Sequence, residues 1–174
     1  MKQKNLTTYI KIALLSAIAF ILMYIDFPVI PLFPWLKIDL SEVPVLMGAF
    51  AFGPMTGIVI ELIKNLLIIV FKGTYTGFIG EFANFIVGIS LVVPASIIYK
   101  RNKTKKSAIL ILEVVGIIAN VYFLLPAYGM NMDSYQLMQY VIVGLLPFNG
   151  IKGMIVSIST YLLYKRLLVA ILRE

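Results

Sequence analysis

Asn84, Asn120, Asn149 and Lys152 stand inside or at the ends of long apolar runs of the sequence. Polar and charged groups are costly in hydrocarbon, so those retained there are candidates for binding a solute. An asparagine amide sets a donor beside an acceptor, which is the pattern an amide or pyrimidine edge requires. Asn149 and Lys152 lie one helical turn apart. A buried Lys152 needs Glu61, Glu81 or a solute oxygen near it. Pro147 and Gly150 surround this pair and can loosen the helix, freeing backbone groups to face a cavity. Amide hydrogen bonding between aromatic walls suits a planar heterocycle that carries hydroxyls. An inorganic ion would want more charge.

Two other polar sets lie in the apolar runs. Glu61, Lys64 and Asn65 have the i, i+3, i+4 spacing that puts all three on one helix face. Glu61 and Lys64 can pair, which lowers the cost of immersing both. The set is either a polar clasp between helices or a direct contact with the solute. Glu81 and Asn84 are again one turn apart. Asn84 serves either the solute or a hydrogen bond to another helix. Glu113 lies deeper, and it meets a partner or the first helix rather than the solute.

Several kinds of chemistry are excluded. The chain has no Cys, so it has no disulfide, thiol nucleophile or thiolate metal site. It has no His, which removes the commonest metal ligand and general base. It lacks a phosphate-binding Gly-x4-Gly-Lys-Ser/Thr loop and an Asp-x3-Asp pair. We therefore expect no enzyme activity, no metal and no resident cofactor. The formal net charge of +7 is assigned to cytoplasmic loops, where membrane proteins concentrate Lys and Arg, and not to a nucleic-acid partner.

The elements that position these groups follow from composition. Of 174 residues, 61% are hydrophobic and 13% charged, against roughly 25% charged in soluble domains. A soluble core of this size could not hide so much apolar surface. The expected fold is a single all-α domain in the lipid bilayer, residues 1–174, with six transmembrane helices. The first span is Ile12 to Ile25, and the basic N-terminus is uncleaved. Phe27 to Leu40 holds Pro28, Pro31 and Pro34, which forbid a regular helix. This segment lies at the interface or caps a cavity, with Trp35 as an anchor or as part of a lid. Glu42 to Phe71 is too long for one ordinary span, and Gly53-Pro54 breaks it. Ser41 is read as the N-terminal cap of the short first half. Later spans run from Gly77 to Tyr99, Ser107 to Leu125 and Tyr140 to about Leu168. The polar stretch Ala127 to Gln139, including Tyr128, connects the last two.

Charge bias tests this topology. With six crossings, Lys2, Lys4, Lys11, Lys100, Arg101, Lys103, Lys105, Lys106, Lys165, Arg166 and Arg173 all lie on one side. These are 11 of the 15 basic residues. That side is the cytoplasm, and both termini are cytoplasmic. Asn84, Asn120, Asn149 and Lys152 then converge from three helices on the outer half of the membrane. On the first helix, Ala13 and Ala17 are small residues four apart, a spacing that lets another helix approach closely.

Several motifs resemble those of a known family. They are Leu36-Lys37-Ile38-Asp39-Leu40-Ser41-Glu42-Val43-Pro44, Gly48-Ala49-Phe50, Phe52-Gly53-Pro54, Glu61-Leu62-Ile63-Lys64-Asn65, Gly80-Glu81-Phe82-Ala83-Asn84-Phe85 and Phe148-Asn149-Gly150-Ile151-Lys152. The resemblance covers most of the chain. The motifs look like the riboflavin-type substrate-binding subunit, or S component, of energy-coupling factor transporters. The resemblance implies capture of riboflavin from outside as a transported ligand. It also implies docking on one transmembrane scaffold subunit and two ATPase subunits, with Ala13 and Ala17 facing the scaffold. The substrate-binding set is then Asn84, Asn120, Asn149, Lys152, Glu81, Lys64 and Asn65. Alternatives are an S component for another vitamin or a phosphorylated flavin, and a small membrane enzyme.

Overall fold

Gly53 and Pro54 divide the apolar stretch 42–71 into two helices. Glu42–Phe52 forms α2 and Pro54–Lys72 forms α3. Gly53 has φ +107°, a conformation that side chains resist, and Pro54 opens the next helix, where its missing N–H costs nothing. The computed structural model describes the chain apart from residues 1, 75–76, 101–113, 128 and 168–174. The basic residues Arg101, Lys103, Lys105, Lys106 and Arg173, together with Glu113 and Tyr128, lie outside the described residues.

The fold is all-α, with six helices among the described residues. Lys2–Tyr24 is α1 and Ile79–Lys100 is α4. We label as α5 the helical run 114–127 and as α6 the run 134–167. Four of these, α1, α3, α4 and α6, are long and apolar enough to cross a membrane. At 11 residues, α2 is only ~16 Å long. It packs against α1, α3, α4 and α6, and eight of its residues, from Glu42 to Ala49, are buried. A helix surrounded by others has no need of full bilayer length.

Between α1 and α2 the proline-rich segment folds back on itself. Phe27–Pro28 (β1) pairs antiparallel with Lys37–Ile38 (β2). The loop between them turns Phe33 and Leu36 into a cluster with Ile38, Leu125, Tyr140, Leu145 and Phe148. A second cluster, which includes Leu15, Ala19, Leu46, Ala49, Ile60, Val92 and Val156, joins α1, α2, α3 and α4 to the later part of α6. The cap, α5 and the first part of α6 thus share one core, and α6 reaches into the other.

Two helix starts and one cap differ most from the sequence reading. Helix α1 begins at Lys2, ten residues before Ile12, because nothing in Lys2 to Lys11 breaks a helix. Helix α6 begins at Ser134 rather than Tyr140. Asp133 accepts from the Gln136 backbone N–H while the Gln136 side chain accepts from the Asp133 N–H, a capping box that starts the helix early. Ser41 makes no side-chain cap; its hydroxyl is used by Lys64 instead, at 2.9 Å.

The loosening expected between Pro147 and Gly150 is not there, since Leu146–Leu167 is regular α-helix, and the disturbance falls upstream instead. Tyr140–Leu145 forms a π turn, closed by the Leu146 N–H donating to Val141 O. Asn120–Leu124 forms another, closed by the Leu125 N–H donating to Asn120 O. Each ends two residues before a proline, Pro126 or Pro147. A proline ring crowds the carbonyl four residues back, and the wider turn relieves that contact.

Candidate functional site

A cavity of about 410 Å³ opens between the cap, α3, α4, α5 and α6. This is within the size range of small-molecule sites. Five of the predicted binding residues line it: Glu81, Asn84, Asn120, Asn149 and Lys152. Trp35, Leu36, Lys37 and Asp39 of the first loop line it too. Phe148 and Leu124 contribute apolar wall. Lys64 and Asn65 are not in the lining.

Asn120 is held on both sides. Its Nδ2 donates to Gly116 O at 2.8 Å. Its Oδ1 accepts from the Tyr140 hydroxyl at 3.1 Å, and that hydroxyl in turn accepts from Trp35 Nε1 at 3.4 Å. The cap is therefore tied through Tyr140 to an amide in the cavity wall. Phe33 and Tyr140 pack edge to face at 5.0 Å and support the same link.

Asn84 Oδ1 and Asn149 Nδ2 are buried with no hydrogen-bond partner. Such atoms cost free energy until a partner reaches them. A turn of either amide about its last torsion exchanges donor and acceptor, so each can meet a ligand with either one. Gly116 makes room for Asn149, whose amide would strike any Cβ at that position. Glu81 lies nearer the rim and accepts from the Thr74 hydroxyl at 3.0 Å.

Lys152 does not pair with Glu61 or Glu81, the protein partners expected for it. Its ammonium stands 3.9 Å from Asp39 Oδ2, and both side chains are buried. Asp39 is the residue that sequence reasoning missed as a site group. Its signal was a carboxylate in a short apolar loop, two residues before a serine. Asp39 Oδ1 accepts from the Ser41 backbone N–H at 2.8 Å. Burial alone would raise the Asp39 pKa. The Lys152 and Lys64 charges and the Ser41 hydrogen bonds outweigh it, and hold the carboxyl below its ordinary value of 3.8.

Behind the cavity, Lys64 is fully buried. It reaches Glu42 at 2.7 Å, Glu61 at 2.9 Å and the Ser41 hydroxyl at 2.9 Å. An ammonium has three donors, and here each has an oxygen. Glu61 also accepts from Asn65 Nδ2 at 3.1 Å. Gly88 of α4 lies directly against the Glu61 carboxyl, where a side chain could not fit. This clasp fixes the start of α2 to α3, and with it the turn that carries Asp39.

Ala13 and Ala17 are exposed on α1, on the opposite side from the buried Leu15, Ser16 and Ala19. Among the described residues, no group of three or more Asp, Glu, His or Cys could hold a metal ion.

Comparison with known proteins agrees with this architecture. Residues 7–164 match the family model "ECF transporter, substrate-specific component". The chain is 42% identical over 169 residues to a Staphylococcus aureus protein named riboflavin transporter RibU, covering 91% of this chain and 88% of that one. It is 35% identical over 180 residues to the Bacillus subtilis riboflavin transporter FmnP, covering 96% and 93%. A solved structure of the S component of a bacterial ECF transporter superposes with a TM-score of 0.80 at 39% identity, over 99% of this chain and 100% of that one. The chain belongs to the substrate-specific components of ECF transporters.

Proposed function

We propose that this protein captures riboflavin from outside the cell and serves as the substrate-binding subunit for its uptake. One observation carries the reading. Asn84, Asn120, Asn149 and Lys152, from three helices distant in sequence, line one cavity that also has Trp35 and Phe148 in its wall. The relatives named as riboflavin transporters support the choice of ligand. The flavin ring lies against apolar and aromatic side chains, and the amides meet its polar edge. Glu81 contacts the ligand near the rim. Lys64 and Asn65 act from behind, by holding the turn that precedes α2.

The chain is a multi-pass protein of the cell membrane with both termini in the cytoplasm, which turns the cavity mouth outward. It works with a transmembrane scaffold subunit and two ATPase subunits, and Ala13 and Ala17 meet the scaffold. ATP hydrolysis in those partners supplies the energy for release inward. The protein itself catalyses no reaction.

The test is a flavin-fluorescence titration of detergent-solubilised protein, with other vitamins as competitors. Quenching that saturates at one riboflavin per chain, unmoved by the competitors, is expected. A well-folded sample that leaves the fluorescence unchanged would remove the substrate assignment.

A further inference from the structure

We infer that the Glu42 and Glu61 carboxyls hold one proton between them, so that the clasp behind the cavity is a buried proton-binding site. The site is separate from the substrate cavity and does not depend on the ligand.

The charges do not balance without it. Glu42 and Glu61 share a single ammonium, Lys64, at 2.7 and 2.9 Å. Glu42 is 1% exposed, Glu61 and Lys64 0%, and Asn65 4%. Gly88 of α4 lies against the Glu61 carboxyl and brings no charge. Two other charges act on the group from further away, Lys152 of α6 on Glu61 and Asp39 of the first loop on Lys64. They are opposite in sign and face each other at 3.9 Å, so they offset one another. With both carboxyls ionised, the clasp would carry a net negative charge shielded from solvent. A buried charge of that kind is neutralised rather than kept, and two carboxylates in one site share a proton.

The hydrogen bonds fall short in the same way. The three donors of Lys64 go to Glu42, Glu61 and the Ser41 hydroxyl. Asn65 Nδ2 donates to the Glu61 backbone carbonyl at 2.8 Å and to Glu61 Oε1 at 3.1 Å. Glu42 Oε2, Glu61 Oε2 and Asn65 Oδ1 remain buried with no partner, and all three are acceptors. What the clasp lacks is a donor. A proton on either carboxyl makes one, an O–H aimed at the other carboxyl or at Asn65 Oδ1. The same proton removes the excess charge.

The position gives this proton a structural task. Glu42 opens α2, and Glu61 lies within α3. Two like charges here would push the helices apart. Ser41 binds Lys64 through its hydroxyl and Asp39 through its N–H. The proton therefore also steadies the turn that ends the first loop.

Infrared spectroscopy reads such a proton directly, because a protonated carboxyl has a carbonyl stretch above the amide bands that a carboxylate lacks. We would record it on the full chain at neutral pH, in a detergent without carbonyl groups, beside thermal unfolding. The proteins are the wild type, Glu42→Gln, Glu61→Gln and the double variant. Glutamine has the shape of a protonated glutamate and supplies an N–H donor. The wild type should show the band. Each single variant should lose it, since the remaining carboxylate balances Lys64 by itself, and its midpoint should move by less than ~3 °C. The double variant strands Lys64, and its midpoint should fall by at least ~5 °C. No band in the wild type would overturn the inference, and that measurement needs no variant. A band that survives in either single variant would put the proton elsewhere and overturn it too. So would a single variant that falls as far as the double one.

Discussion

The Tyr140 hydroxyl donates to Asn120 Oδ1 at 3.1 Å, joining the start of α6 to an amide in the cavity wall. The same hydroxyl accepts from Trp35 of the cap. Tyr140 is almost fully buried and is not itself in the cavity lining. Its role is to fix which way the Asn120 amide faces and to hold the cap over it.

Tyr140→Phe should therefore weaken binding without disturbing the fold. The ring, packed edge to face on Phe33, stays in place. The hydrogen bond to Asn120 and the longer one from Trp35 are both lost, worth about 1 kcal/mol or more, or at least roughly fivefold in the riboflavin Kd. Fluorescence titration measures it. An unchanged Kd would mean that the Asn120 amide is oriented by Gly116 alone.

Lys64 and Lys152 should respond differently to the same substitution. Lys64→Met leaves Glu42 and Glu61 buried without their cation, and breaking a buried pair costs about 3–5 kcal/mol. The thermal midpoint should fall by at least ~5 °C. Lys152→Met removes a cation whose contact with Asp39 is 3.9 Å long. Riboflavin binding should weaken, and the midpoint should fall less than in Lys64→Met, because Lys64 and Ser41 still face the Asp39 carboxylate. Thermal unfolding in detergent, run beside the titration, separates the two. Equal midpoints for both variants would contradict the division between clasp and site.

Much of this was legible in the sequence, for identifiable reasons. Gly53-Pro54 declares a break in one dipeptide. The three prolines between Pro28 and Pro34 exclude a helix, so a cap was a live reading. Asn84, Asn120, Asn149 and Lys152 stand out because each is polar in an apolar run. Asp39 did not stand out, because it lies in a loop, where a carboxylate is ordinary. Only the fold returns it to the interior opposite Lys152. Tyr140 was hidden for another reason. Its sequence neighbours give no hint of Asn120, 20 residues back and on another helix. The two π turns were half visible: Pro147 signalled a disturbance but not where it would fall. Ser41 looked like a helix cap, and a long-range contact with Lys64 took its hydroxyl.

Gly144 tests the seating of the cap. A Cβ built there would come within 2.8 Å of the Phe33 ring. Gly144→Ala therefore overpacks the contact between α6 and the loop, at a cost of about 1–3 kcal/mol. Because the strain falls on the closed cap, riboflavin should leave faster, by roughly fivefold or more. Stopped-flow displacement gives the rate. Unaltered release would mean that Phe33 shifts without opening the cavity.

Acid should act on the site through Asp39. Burial raises the pKa of this carboxyl, but the Lys152 and Lys64 ammoniums and the Ser41 hydrogen bonds prevail, and the group titrates below its ordinary 3.8. The folded protein therefore holds the ionised form more tightly than the unfolded chain does. The stabilisation is complete above pH 3.8 and is lost as the pH falls through the depressed value. In the wild type, Asp39 should contribute no slope to the thermal midpoint between about pH 5 and 8. Below pH 3.8 its contribution should fall away. Asp39→Asn lacks this acid-sensitive component, so the difference in midpoint between the two proteins should be constant near neutrality and narrow in acid. A difference that already narrows between about pH 7 and 5 would show that Asp39 is not held ionised by its neighbours, and the pairing with Lys152 would lose its electrostatic basis.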